Sequence, residues 1–324
     1  MLKPLVRSAA CAIALCVAAP RAASAALPPP LPAPIASFDA GSLHVDQYSS
    51  AGQPAIFIPG LACGPWEWSG EIARLASRYA VYALTLPGFD GQPAVNGPLF
   101  ATATADFWKL LDAKRIGLPV VIGHSLGGTM GFMLATQHPD RLRGVISLDG
   151  LPIYPANVVM PPEQVKAAAA TAVSSMANMT SAAFAQSERT RVLPYLVSAQ
   201  SDINAMAPLV AKSDPAASGR WLQEDLLLDL RPELPKASVP ILLIAPYDAS
   251  VDARFGAISS ASKVAFYGQL VKGAPNVRVV AIDRSRHFAM YDQPQATADA
   301  IDAFLAQLPP RSVSTLPSSG NAAL

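Results

Sequence analysis

Residues 118 to 128 run Leu118-Pro119-Val120-Val121-Ile122-Gly123-His124-Ser125-Leu126-Gly127-Gly128, an apolar run that ends in a serine flanked by glycines. A stretch of helix-favouring residues, Thr129 to Gln137, follows. G-x-S-x-G between a strand and a helix is the pattern of a nucleophile elbow, a turn so tight that its flanking positions have no room for a Cβ. Such a turn lifts the Ser125 hydroxyl clear of the sheet. The helix start then offers free backbone N–H groups to a developing oxyanion. The residue after the nucleophile, Leu126, is the first expected donor. An ordinary strand-to-helix turn is the bland alternative, and the strand before and helix after weigh against it.

A serine hydroxyl needs a base within hydrogen-bond reach, and the base needs an orienting acid. The chain has four histidines, His44, His124, His138 and His287. His124 adjoins Ser125 inside the elbow, so its side chain should point elsewhere. His138 lies thirteen residues along the following helix, roughly 20 Å away at 1.5 Å per residue. His44 precedes the nucleophile, against the chain order of serine, acid, histidine. His287 remains, in a loop just after the apolar run Val277 to Ile282, where a sheet of this kind puts its chemistry. Two acids between Ser125 and His287 follow strand-like runs. Asp248 comes after the run Val239 to Tyr247 and Asp149 after Gly144 to Leu148. Position and order favour Asp248 as the orienting acid, with Asp149 as the alternative; Asp252 reads as a solvated loop charge.

These residues need a scaffold. Ala55 to Ile58 reads as an early strand, followed by the Gly-rich turn Pro59-Gly60-Leu61-Ala62-Cys63-Gly64 and a helix start at Trp66. The order Pro59-Gly60, Trp66, Gly123-His124-Ser125-Leu126-Gly127, Asp248, His287 resembles the α/β-hydrolase fold family, in particular its esterase-like members with a small cap. The likeness covers roughly residues 43 to 308 and is least diagnostic in the middle. Many members carry His-Gly where this chain has Pro59-Gly60. The resemblance implies a second oxyanion donor at the N–H of Leu61, or of Ala62. It also implies a mostly parallel central sheet with helices on both faces, as does the alternation of strand and helix signals.

The segment 150–238 interrupts that alternation with helix-favouring stretches, and in this fold it is expected to be a helical cap. Met160, Met176, Met179 and Met206, with Tyr154, Tyr195 and Trp221, give it apolar surface suited either to a pocket or to plain packing. The core is then expected at 38–149 and 239–308. Met1 to Ala25 has a basic start, a short apolar run and Ala23-Ser24-Ala25, the marks of a secretory signal peptide cut after Ala25. A Pro-rich linker, 26–37, follows, and a Ser/Pro-rich tail, 309–324, is expected to lack order.

Cleavage would leave Cys63 as the one thiol, in the oxyanion-side loop but without elbow context. The formal charge is 24 minus 23, or +1; without Lys3, Arg7 and Arg21 it is 21 minus 23, or −2. Near-neutrality argues against capture of nucleic acid or an anionic membrane, and no run after the leader suits a stable membrane anchor. No phosphate loop, dinucleotide fingerprint or metal-ligand spacing stands in the sequence, so no cofactor or metal is expected. The expectation is a secreted or periplasmic serine hydrolase of small apolar esters. The same machinery could act on amides, thioesters or lactones or in acyl transfer, and a catalytically idle binding protein is the rival from another class. Oligomeric state has no signature in the sequence.

Overall fold

A computed structural model of the chain describes residues 29–308. The expected signal peptide and C-terminal tail lie outside the described residues. Eight strands form one sheet in the order β1-β2-β4-β3-β5-β6-β7-β8: β1 Ala36–Ala40, β2 Leu43–Gln47, β3 Gln53–Ile58, β4 Tyr79–Thr85, β5 Val120–His124, β6 Gly144–Leu148, β7 Ile241–Tyr247 and β8 Val277–Asp283. Strand β2 runs antiparallel to both of its neighbours, β1 and β4, and all other pairings are parallel. Strand β1 begins inside the segment read as linker, at Ala36. It pairs with β2 from Ala36–Gln47 to Ala40–Leu43.

Parallel strands buried on both faces need apolar side chains in both directions. Ile56, Val121, Val145 and Leu243 point into one core, and Phe57, Ile122, Ile146 and Ile244 into the other. On the first face lie α2 (Leu99–Lys114), α3 (Leu126–Gln137) and α10 (Ser260–Leu270), through Phe107, Met130 and Leu270 among others. On the second lie α1 (Ser69–Leu75) and α12 (Pro294–Gln307), through Ile72, Leu75, Ile301 and Phe304. The short turns α9 (Ala249–Asp252) and α11 (Ala289–Asp292) follow β7 and the His287 loop.

Between β6 and β7 the chain builds α4 (Pro162–Met176), α5 (Ser181–Ser187), a π-helical turn Glu188–Val192, α6 (Leu193–Leu196), α7 (Gln200–Val210) and α8 (Pro215–Leu227). This insert is tied to the sheet domain by polar contacts that need both parts. The Glu224 carboxylate accepts the N–H groups of Leu99 (2.6 Å) and Phe100 (2.9 Å), capping α2, which has no side-chain cap of its own. Trp221, fully buried, donates its indole N–H to the Pro87 carbonyl at 3.0 Å. Ser213 donates to the Ala62 carbonyl at 2.9 Å and so grips the loop after β3.

Candidate active site

Ser125 sits between β5 and α3 with φ 51° and ψ −122°, a backbone conformation a side-chain-bearing residue adopts only under constraint. The constraint is visible on both sides. A Cβ at Gly123 would collide with the Gly127 carbonyl, and one at Gly127 with the Ile58 carbonyl, so strand, turn and helix close on each other only with glycine there. The Ser125 N–H is held by the Leu148 carbonyl of the neighbouring strand at 2.8 Å. The elbow expected from the sequence is therefore present.

His287 lies in the loop after β8, and its Nδ1 donates to an aspartate at 2.6 Å. That aspartate is Asp149, not Asp248. Asp149 follows β6, the strand beside β5, with φ 54°. The adjoining Gly150 lets its loop press against the Ser125 carbonyl, where a Cβ would clash. Asp248 is turned away from the histidine. Its carboxylate accepts from Arg286 Nε at 3.2 Å and from the N–H and hydroxyl of Ser250 at 2.8 and 2.6 Å. The preference for Asp248 as partner of His287 is thus overturned, because the neighbouring Arg286 claims it. Asp252, read as solvated, is buried as well. It bonds Lys263 Nζ at 2.8 Å and takes the Asp248 N–H at 2.8 Å.

The second oxygen of Asp149 accepts the Tyr267 hydroxyl at 2.6 Å. Burial alone would raise the Asp149 pKa. The Lys263 charge and the hydrogen bonds from His287 and Tyr267 outweigh it and hold the carboxyl below its ordinary range. His287 is held below the usual histidine value, first by burial and then by the charge of His124; its bond to Asp149 works the other way. Tyr267, buried beside a carboxylate, is pushed up and stays a phenol. Sequence inspection missed Tyr267 and Lys263. Their spacing of four residues on α10 puts both on one face, a pattern shared by many helices that do nothing of the kind.

His124 lines the cavity wall, but its ring nitrogens are taken by partners other than Ser125. Its Nδ1 lies 3.2 Å from Glu67 Oε2 and its Nε2 3.2 Å from the His287 carbonyl. The other Glu67 oxygen accepts the Gly60 N–H at 3.0 Å. One buried acid–imidazole pair therefore braces both the loop after β3 and the loop carrying His287. In the former loop Ala62 has φ 57°. Among the described residues no acceptor takes the N–H of Leu61 or Ala62, and Leu126 opens α3 ahead of its hydrogen-bond ladder. Leu61, Ala62 and Leu126 all line the cavity with Ser125. Cys63 also lines it, but burial and the nearby Glu67 push its thiol up, so it stays protonated and unreactive.

The cavity has a volume of about 990 Å³ and brings Ser125, His287 and Asp149 together with side chains of the insert. Met160, Met176 and Tyr154 line it as the sequence suggests. Met206 and Trp221 instead fill cores at 1% and 0% exposure, Met179 packs against a core, and Tyr195 is exposed. His44 pairs with Asp39, and His138 packs edge-on to Trp108; neither is among the residues that line the cavity.

Similar proteins fit this arrangement. The alpha/beta hydrolase family pattern matches residues 55–300. The pimeloyl-[acyl-carrier protein] methyl ester esterase of Aeromonas hydrophila is 27% identical over 274 residues, covering 82% of this chain and 99% of its own. Among solved structures, an enol-lactonase from Burkholderia xenovorans superimposes with a TM-score of 0.67 at 20% identity, over 84% of this chain and all of its own. A thermophilic esterase from Thermogutta terrifontis does so with a TM-score of 0.68 at 18% identity, over 84% and 99%. With a family match across most of its length and the fold to go with it, the chain belongs to the alpha/beta hydrolase family.

Proposed function

We propose that the protein is a serine hydrolase of carboxylic esters that works through an acyl-enzyme. The observation that carries this reading is the 2.6 Å bond between His287 and Asp149 on the wall of the cavity that also holds the strained Ser125. Asp149 fixes the tautomer in which Nδ1 carries the proton and Nε2 is free to accept one. His287 then takes the Ser125 proton as the hydroxyl attacks the ester carbonyl. The N–H groups of Leu126 and Leu61 (or Ala62) stabilise the oxyanion. The imidazolium, steadied by the Asp149 charge, returns the proton to the leaving alcohol. A water activated by His287 releases the acid by the reverse sequence. None of these steps calls on a metal or cofactor.

The ester bond is supported by the Aeromonas relative, a methyl ester esterase, and by the 27% identity that spans almost all of that protein. The helical insert acts as a cap whose apolar side chains select the acyl or alcohol group. The leader, Met1 to Ala25, directs export to the periplasm or the medium, and N-terminal sequencing of the exported protein should begin at Ala26.

The direct test is Ser125→Ala. The wild type should cleave p-nitrophenyl esters and be labelled by a fluorophosphonate probe. The variant should lose both while keeping its thermal midpoint. Retained turnover in Ser125→Ala would remove the nucleophile, and an unlabelled wild type would point to an idle scaffold.

A further inference from the structure

The cavity holds more carboxyl groups than ester hydrolysis uses. Asp252 is bonded to Lys263, and Asp149 is held by His287 and Tyr267. Two lining carboxyls remain, Asp225 of α8 and Glu188. Asp225 lies beside Thr129, one helical turn along α3 from Ser125; the Thr129 side chain eases its burial, although the hydroxyl itself donates to the Leu151 carbonyl at 3.0 Å. Glu188 has no polar side chain to ease its burial in this way. It is 8% exposed, and among the described residues nothing donates to its carboxyl.

Backbone geometry explains why an acid is turned inward there. Glu188 opens the π-helical turn that joins α5 to α6, and such widened turns recur at functional sites. The next three residues, Arg189, Thr190 and Arg191, are exposed, so Glu188 alone of this turn's first four faces the interior. Its field reaches Cys63, which puts it on the side of the loop after β3. Phe184 and Leu193, both buried, are apolar neighbours on the same wall. Burial holds Glu188 up at about 7, and Asp225 likewise at about 7. The lining cation not already bonded to a carboxylate, Arg254, is exposed and sits over the Tyr195 ring at 5.5 Å instead.

A carboxyl in an apolar wall without a partner costs free energy, which a ligand can recover by supplying the missing donor. We propose that Glu188 is a specificity-determining residue that receives an ammonium group of the substrate, so that the preferred esters carry an amine separated from the scissile carbonyl by an apolar chain. The methylenes would lie along the apolar wall and the ammonium would meet Glu188 in a charge-assisted hydrogen bond. This inference rests on the ester-hydrolase reading for the bond that is cut, but the recognition itself needs no turnover.

The test compares two esters of matched length, p-nitrophenyl 6-aminohexanoate and p-nitrophenyl heptanoate, at pH 8. There Glu188 is ionised and His287 neutral, and the amine keeps its proton. The ratio of their kcat/KM values cancels every effect on the triad. The wild type should favour the amino ester, and Glu188→Gln should lower the ratio by about tenfold or more. In parallel, calorimetric titration with hexylammonium chloride and with 1-hexanol should show tighter binding of the cation in the wild type and equal binding in Glu188→Gln. An unchanged ratio in Glu188→Gln, or equal binding of cation and alcohol by the wild type, overturns the proposal. A loss of preference in Asp225→Asn but not in Glu188→Gln also overturns it, by assigning the charge to the other carboxyl. If neither ester is cleaved yet hexylammonium binding depends on Glu188, the esterase reading falls and the ammonium site stands.

Discussion

Asp149→Asn isolates the part of the site that geometry changed. In the wild type each Asp149 oxygen accepts one hydrogen bond, from His287 Nδ1 and from the Tyr267 hydroxyl, both at 2.6 Å. An amide keeps one acceptor and gains a donor. If its oxygen faces His287, its NH2 group faces Tyr267, and the buried phenol loses its acceptor. If its oxygen faces Tyr267, its NH2 group faces Nδ1 and forces the ring proton onto Nε2, the nitrogen that must accept from Ser125. Either way the imidazolium loses a neighbouring negative charge. A charge-assisted bond is worth about 1.5–3 kcal/mol, and the wrong tautomer adds to it. We expect kcat to fall by roughly 10³–10⁴, about 4–5.5 kcal/mol of barrier.

Asp248→Asn is the matched control. Arg286 would keep the Pro194 and Val197 carbonyls at 2.6 and 3.2 Å, so the loss should stay under about tenfold. The assay is kcat/KM on p-nitrophenyl butyrate at pH 8, with fluorophosphonate labelling rates and thermal midpoints measured on the same preparations. The reverse ranking, a crippled Asp248→Asn beside an Asp149→Asn within tenfold of wild type, would refute the assignment of Asp149.

Three further outcomes are expected. Tyr267→Phe removes one donor from Asp149 while leaving His287 bonded, so kcat should drop by about three- to tenfold with folding intact; a loss as large as that of Asp149→Asn would mean that the phenol does more than hold the carboxylate. Because only neutral His287 can act as base and burial lowers its pKa, kcat/KM should climb with pH at acid values and level off with a midpoint below about 6.5, and a midpoint above 7 with chemistry limiting would contradict this. Met176 lines the cavity and Met206 is 1% exposed in the core. Met176→Ala should therefore alter the acyl chain-length profile at little cost in stability, while Met206→Ala should cost about 2–5 kcal/mol in denaturant unfolding and leave the profile alone.

The candidate nucleophile and base were legible because each rests on a local rule. The elbow at Ser125 is a steric requirement written in Gly123 and Gly127, and with only four histidines His287 follows by elimination. The sheet is legible for a similar reason, since strands buried on two faces must be apolar runs. The aspartate that partners His287 was not legible, because the order serine, acid, histidine admits both Asp149 and Asp248. The choice is made by long-range contacts: Tyr267 and Lys263 reach Asp149 and Asp252 from α10. One local signal was available. Gly150 after Asp149 matches the need for close approach to Ser125, though a glycine after a strand is too common to decide anything alone.

The displaced candidate still has a structural task, and it bears on the same histidine. Asp248 caps α9 through Ser250 and holds the guanidinium of Arg286, the residue just before His287. Arg286 is also pinned by its N–H to Asp292 at 2.8 Å and by its guanidinium to the Pro194 carbonyl at 2.6 Å. The His287 carbonyl, one residue on, meets His124, which Glu67 holds in turn. His287 is thus fixed along its backbone by two charged networks, and along its ring by Asp149. That division explains how a chain can carry an aspartate at the end of β7 that does not partner His287. The residue steadies the loop, while the aspartate at the end of β6, one strand from the nucleophile, orients the imidazole.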